Sequence, residues 1–360
     1  MLPHSLYSSA AAGVLALLAA SVSPASAATA CNNSPSLCSR NYNNITHMGA
    51  HGSSFLRDGS EAISAAGNQD YNATVALDAG IRLLQAQVHK PNETLRLCHT
   101  SCQLLDAGTL EDWLSKISYW MGQNPNEVVT LLLVNSDEAE ATEFGSVFKS
   151  SGISNYAYSP NSTEGPSGDW PTLNNMIKNG ERVVSFVTNI NATTEYTYIM
   201  PEFDYMFETA FEITELDGFN CTLDRPGKLD SASDALSSNY LSLANHFKYQ
   251  TLGTGTSLFI PDATNIEIVN SANTTEDGNL GKHLSECSTE WGVKPNFVLV
   301  DMFDAGEVMV AADRMNSISD ATGRVAVADS TDDSSEASGR DKNMGAVALI
   351  AFVAAAITLV

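Results

Sequence analysis

Positive charge is scarce in this chain: 18 Lys and Arg stand against 42 Asp and Glu, a formal net charge of −24. Nucleic acids are held by clustered Lys and Arg that displace counterions, so this balance argues against a nucleic-acid partner. It argues equally against adhesion to anionic membranes through a basic patch, and is the ordinary charge of a surface kept soluble. Cysteine is also sparse. Of the six, those in Cys98-His99-Thr100-Ser101-Cys102 lack a second ligand pair at zinc-finger spacing, so no metal is expected there. The body shows no Gly-rich nucleotide loop, no nucleophile elbow and no internal repeat, which removes the common nucleotide-binding and serine-hydrolase signatures. Nor is there a convincing pair of carboxylates at matching strand ends, as a barrel glycosidase would require.

Apolar runs are concentrated at the two ends. Residues 10–22 form an apolar stretch followed by Ser23, Pro24 and the small triplet Ala25-Ser26-Ala27. That order is expected of a secretory signal over 1–27, although its basic region is reduced to His4 and the amino terminus. At the other end, residues 344–360 are apolar or small with no basic residue after them. A spanning helix needs about 20 residues with flanking charges. The small residues Ser334, Ser335, Ala337 and Ser338, the polar piece 339–343 and the tail together fit a glycosylphosphatidylinositol signal. A single C-terminal membrane helix is the alternative. The expected organisation is a folded body over 28–327, an Asp- and Ser-rich disordered stalk with the anchor attachment region over 328–343, and a disposable tail. The protein is then expected on the outer face of the plasma membrane or in the cell wall.

Six cysteines in a secreted chain suggest three bridges. Nearest partners give Cys31 with Cys38, Cys98 with Cys102 and Cys221 with Cys287, although six cysteines allow about 15 pairings. Glycosylation sequons at Asn32, Asn44, Asn72, Asn92, Asn161, Asn191, Asn220 and Asn273 mark candidate surface loops.

The body alternates short β-rich runs with helical patterns, the arrangement that buries a parallel sheet under helices. Strand candidates are 45–50, 81–88, 94–98, 128–134, 182–187, 204–207, 257–260 and 297–300, eight runs that suggest an α/β fold, a TIM-like (β/α)8 barrel with irregular staves allowed. The 128–134 run is apolar on both faces, as a strand covered inside and outside must be. Residues 109–120 carry Leu110, Trp113, Leu114, Ile117 and Trp120 at helical spacing, which reads as a core-facing amphipathic helix.

Two histidines stand at the ends of predicted strands, His51 after Gly49-Ala50 and His99 after Leu97-Cys98. In a parallel barrel the C-terminal strand ends carry the site, so both can face one substrate. A histidine pair can take a proton from an attacking hydroxyl and return one to the leaving oxygen. These residues, with Ser53, Gly80-Ile81-Arg82, Leu83-Leu84-Gln85-Ala86-Gln87-Val88-His89, Cys98-His99-Thr100-Ser101-Cys102 and Asn124-Pro125-Asn126-Glu127-Val128-Val129-Thr130, resemble the X-region of the phosphatidylinositol-specific phospholipase C-like phosphodiesterases, most of all its fungal secreted branch. The resemblance runs from about Asn41 to Asp304. It implies a barrel that cleaves a phosphodiester through attack of a neighbouring substrate hydroxyl, with His51 as base and His99 as acid; no cofactor is expected, because the hard oxygen ligands that calcium needs are missing at Gln85 and Gln87. An inositol phospholipid or glycosylphosphatidylinositol-type head group would be the substrate.

The chain departs from that family at telling positions. Gln85 and Gln87 stand where bacterial enzymes carry an acidic residue and an arginine, and where calcium-dependent enzymes carry acidic ligands. Gly52 replaces the Asp or Asn often found after the first histidine. By strand alternation Gln85, Gln87 and His89 share the face at the barrel mouth and are candidate substrate-binding groups. An amide brings no charge to a phosphoryl-transfer site, so either another cation supplies it, with Arg57, His89 and Lys90 as candidates, or catalysis is poor or absent. Asp301, with Asp304 as second choice, is expected to orient a histidine. Asn135, and with less support Asp137, could line the mouth. The alternative function is a catalytically silent surface protein that binds a head group or glycan on the same barrel.

Overall fold

Period-two alternation along the strands decides which side chains face inward, and among the described residues it is carried by thirteen strands. The computed structural model describes residues 29–57, 64–161, 165–251 and 259–327; the expected signal, the 328–343 attachment region and the 344–360 tail lie outside them. The strands are β1 (His47–Ala50), β2 (Leu83–His89), β3 (Arg96–His99), β4 (Leu105–Thr109), β5 (Val129–Asn135), β6 (Val183–Val187), β7 (Ile199–Pro201), β8 (Met206–Thr209), β9 (Leu223–Arg225), β10 (Leu241–Asn245), β11 (Tyr249–Thr251), β12 (Phe259–Pro261) and β13 (Phe297–Val300). Eight are parallel staves in the order β7-β6-β5-β2-β1-β13-β10-β8. Among the described residues no ladder joins β7 to β8. One helical turn, Glu202–Tyr205, links these two in sequence. The result is an irregular TIM-like barrel, open along that seam.

Alternate residues divide between two cores. Leu83, Leu132, Phe186, Leu243, Phe297 and Leu299 point into the barrel. Leu84, Ala86, Val88, Leu131, Leu133 and Val298 point outward beneath the helices. Tyr42 and Trp170 fill the foot of the barrel, with Tyr42 hydrogen-bonded through its hydroxyl to Thr130 Oγ1 at 2.5 Å. The helix Leu110–Gln123 forms where its spacing predicts, starting at Thr109, whose side chain accepts the Asp112 N–H. It buries Trp113, Leu114, Ile117 and Trp120 against the outer core. The bridges Cys31–Cys38, Cys98–Cys102 and Cys221–Cys287 form as nearest partners predict.

Two expected staves are not staves. The 94–98 run becomes β3, which pairs antiparallel with β2, and the 257–260 run contributes to β12, half of a separate two-stranded ribbon with β11. Their places are taken by β7, only three residues long, and β10, whose sequence Leu-Ser-Leu-Ala-Asn follows a Ser-rich helical stretch. The foot also ties both ends of the body together. Asp320 accepts the hydroxyls of Ser34 and Ser36 at 2.5 and 2.6 Å, and Val325 N donates to Asp78 O at 2.9 Å. Arg82, inside the family-like run, is held there by Glu127 at 2.6 Å and is a structural cation.

Candidate active site

The site begins with register. Ala50 lies beside Val300 in the parallel β1/β13 ladder, so the next residues, His51 and Asp301, emerge side by side at the C-terminal strand ends. His51 Nδ1 meets Asp301 Oδ1 at 2.8 Å, with Asp301 buried to 1% exposure. A carboxylate accepts, so Nδ1 carries the proton and Nε2 keeps its lone pair toward the cleft, the tautomer of a general base. The imidazole lies flat on Phe247 with centroids 3.7 Å apart, which fixes the ring plane.

Gly52 explains one departure from the family pattern. Its φ is +53°, and a Cβ there would come within 2.2 Å of Asn68 Oδ1. The space is occupied by Asn68, which donates to Asp301 Oδ1 at 3.0 Å. Its neighbour Gln69 donates to the carbonyls of His51 and Val300 at 2.7 and 3.0 Å. Asn68 and Gln69 thus brace the His51–Asp301 pair. Nothing in their local pattern distinguishes them from ordinary loop amides.

His99 reaches the same cleft by another route than the one expected. It ends an antiparallel strand: β1 stops at Ala50, and the upper edge of β2 is free to pair with β3. His99 is therefore folded back over the mouth, edge-on to Phe55 at 5.0 Å. Its Nδ1 is buried without a hydrogen-bond partner among the described residues. Burial lowers its pKa to about 4, with the charge of nearby His51 adding to the effect and Asp301 opposing it.

A cleft of about 450 Å³ opens between these elements, lined by His51, His99, Gln85 and Gln87 among others. Gln85 Oε1 accepts the Gly52 N–H at 2.6 Å, so its amide nitrogen is the group it can offer a phosphate oxygen. Gln87 is committed at both ends, donating to Ser136 Oγ at 2.9 Å and accepting from Thr100 N at 2.8 Å, which pins the loop after His99. His89 and Asn135 do not line the cleft. His89 pairs with Asp137 at 3.0 Å. Asn135 is 1% exposed and closes a turn, accepting from Ala139 N at 2.9 Å and donating to Ala139 O at 3.0 Å. Lys90 is held by Glu93 and Glu143, and Arg57 lies 3.5 Å from Asp70.

Among the described residues, the Lys or Arg that does line the cleft is Arg225 on β9. Its Nη2 donates to Glu208 Oε2 at 2.6 Å, and its guanidinium lies 4.3 Å from the Phe211 ring centroid. Asn245 donates to the same Glu208 oxygen at 3.0 Å. The sequence hides this arm because Arg225 sits in an irregular Asp-Arg-Pro-Gly turn region and enters through an antiparallel strand rather than a stave. Among the described residues, Cys221, His283 and Cys287 have atoms close enough to share an ion. The two sulfurs are bonded to each other and are not thiolate ligands. No helix of the described residues is long and apolar enough to cross a membrane.

The family model described as PI-PLC X 1 matches residues 37–316. A PI-PLC X domain-containing protein 1 of Arthroderma benhamiae is 36% identical over 310 residues, covering 85% of this chain and 95% of that protein. An uncharacterized secreted protein of the same fungus is 37% identical over 280 residues, covering 77% of this chain but 61% of that longer protein. Among solved structures, the phosphatidylinositol-specific phospholipase C from Listeria monocytogenes aligns over 78% of this chain and 96% of its own, with a TM-score of 0.48 at 14% identity.

Proposed function

Because this chain belongs to the PI-PLC X family, we propose that it is a phosphoric diester hydrolase of the phospholipase C type, acting on an inositol phospholipid or glycosylphosphatidylinositol-type head group. The observation that carries this reading is the His51–Asp301 pair at 2.8 Å facing the same cleft as His99. His51 Nε2 takes the proton of a substrate hydroxyl as its oxygen bonds to phosphorus. The bond from phosphorus to the leaving oxygen breaks as His99 gives that oxygen a proton. Asp301 holds the His51 tautomer and offsets the charge His51 acquires. Arg225 supplies the cationic charge that Gln85 and Gln87 do not, and Gln85 adds a neutral donor. Amide side chains in place of acidic ones make this strand face a poor calcium site.

The test is turnover of inositol phospholipids and of a simple phosphodiester by the purified protein, with chelator and with His51→Ala. Turnover that survives chelator and disappears in the variant supports the assignment. A folded protein without turnover favours a second reading, a head-group-binding protein on the same barrel. That reading has its own support in the neutrality of His99 and the full engagement of Gln87. We also place the protein at the cell surface on a lipid anchor, supported by the three disulfides and by the composition of residues 328–360. Treatment of cells with a bacterial phospholipase C is expected to release it; retention with an intact C-terminal peptide would overturn the anchor.

A further inference from the structure

Behind Arg225 lie two buried carboxyls that the reaction described above does not use. Glu202 is 1% exposed and Glu208 is 3% exposed. Glu208 has donors in Arg225 and Asn245. Neither oxygen of Glu202 meets an N–H or O–H donor among the described residues, yet its carboxyl faces that of Glu208. Two carboxylates in that position would present oxygen to oxygen, doubling the negative charge under one guanidinium. A proton on Glu202 turns the contact into an O–H···O hydrogen bond and leaves a single charge for Arg225 to balance.

We propose that Glu202 and Glu208 share one proton and thereby hold Arg225 as the anion-binding cation of the cleft, Glu202 acting as a positioning residue. The role given to Arg225 rests on the phosphodiesterase reading; the shared proton does not. With the proton in place, the Glu202–Glu208–Arg225 group is neutral and its remaining guanidinium donors serve an anion. Without it the group is net negative and repels one. Burial, then the charge of Glu208, holds the Glu202 carboxyl well above the usual carboxylate range. Burial pushes Glu208 up as well, but its hydrogen bond from Glu202 and the charge of Arg225 outweigh that and pull it down. The other groups bearing on the cluster are Asp224 beside Arg225, Glu212 and Tyr249 on the cleft wall, and the Asp204–Lys228 pair on the Glu202 turn.

The experiment compares the full protein with Glu202→Gln, which fixes the protonated shape without a titrating group. Infrared difference spectra at pH 7 are expected to show a buried carboxylic acid band in the wild type that the variant lacks. Glu202 has a raised folded pKa, so its contribution is complete below its unfolded value and is lost as pH climbs through the folded one. The melting temperature of E202Q should therefore gain on the wild type as pH rises from about 5 to 8. Sulfate, whose charge is constant over that range, is the binding probe. Any fall in its affinity that comes from anion-favoured protonation of His99 in the same cleft is common to both proteins, and along the alkaline limb the affinity of the wild type is expected to fall at least about tenfold further than that of E202Q. No acid band and a pH-independent difference in melting would overturn the shared proton, whether or not any phosphodiester is cleaved. An acid band with sulfate binding that is absent, or equally pH-dependent in both proteins, would overturn the positioning role. Should E202Q fail to fold, the wild-type band and its titration decide the first point, and a wild-type sulfate affinity that does not fall at the midpoint of that titration overturns the second.

Discussion

At the scale of single residues, the proposed chemistry rests on protons held at stated atoms. Replacing His51 by Ala removes the base and is expected to lower turnover by about 10²–10⁴-fold while leaving the melting temperature close to that of the wild type. Loss of turnover through unfolding, or no loss, would sink the assignment. Arg225→Ala should reduce kcat/KM by about ten- to a hundredfold, mostly through KM, since it deletes a charged hydrogen-bond donor. His99 makes a sharper prediction. With a pKa of about 4 in the free protein, roughly one molecule in a thousand carries its proton at pH 7. A bound phosphodiester anion favours the imidazolium. The alkaline limb of kcat should therefore lie at higher pH than that of kcat/KM; coincident limbs would remove His99 as the acid.

At the scale of elements, the sequence exposed some placements and hid others. Alternation along β2 puts Gln85, Gln87 and His89 on one face, of which Gln85 and Gln87 line the cleft and His89 does not. It could not show that β1 is too short to cover β2, which is why β3 turns back and carries His99 over the mouth. Asn135 reads as a mouth residue because it ends a stave, but it spends its amide on the turn that follows. The disulfides separate position from stability. In the chain-entropy account, closing the four-residue separation of Cys98–Cys102 contributes about 2 kcal/mol, against about 4 kcal/mol for the 66-residue separation of Cys221–Cys287. Calorimetry of the two Cys-to-Ala pairs should show the larger loss of melting temperature for Cys221 and Cys287. Turnover should fall more for Cys98 and Cys102, whose bridge brackets His99.

At the scale of the molecule, stability should depend on acid in a defined direction. Burial lowers the pKa values of His47, His99 and His283 to about 4 and of His246 to about 3. Their unfolded forms protonate near 6.5, so the contribution of these neutral rings is complete above that value and is lost as pH falls toward their folded values. Each ring inside that window adds a slope of about 1.4 kcal/mol per pH unit. Denaturant melts at pH 7, 6 and 5 are expected to show steadily lower stability; a flat profile would mean that these rings are not held neutral.

Sequence alone determined much of this protein because local rules govern much of it. Period-two runs placed most staves and the inward faces of Gln85 and Gln87, helical spacing placed Leu110–Gln123, and proximity in the chain paired the cysteines. Motif order singled out His51 and His99. The tertiary structure decided what depends on residues far apart in the chain: Asp301 beside His51 through ladder register, Asn68 in the space that Gly52 leaves, His99 delivered by an antiparallel strand, and Arg225 set beside Glu208 by the antiparallel β8/β9 ladder, with Asn245 supplied by the neighbouring β10. The physical reason is the same in each case. A buried charge or amide is defined by its partners, and those partners are chosen by packing across the barrel rather than by neighbours along the chain.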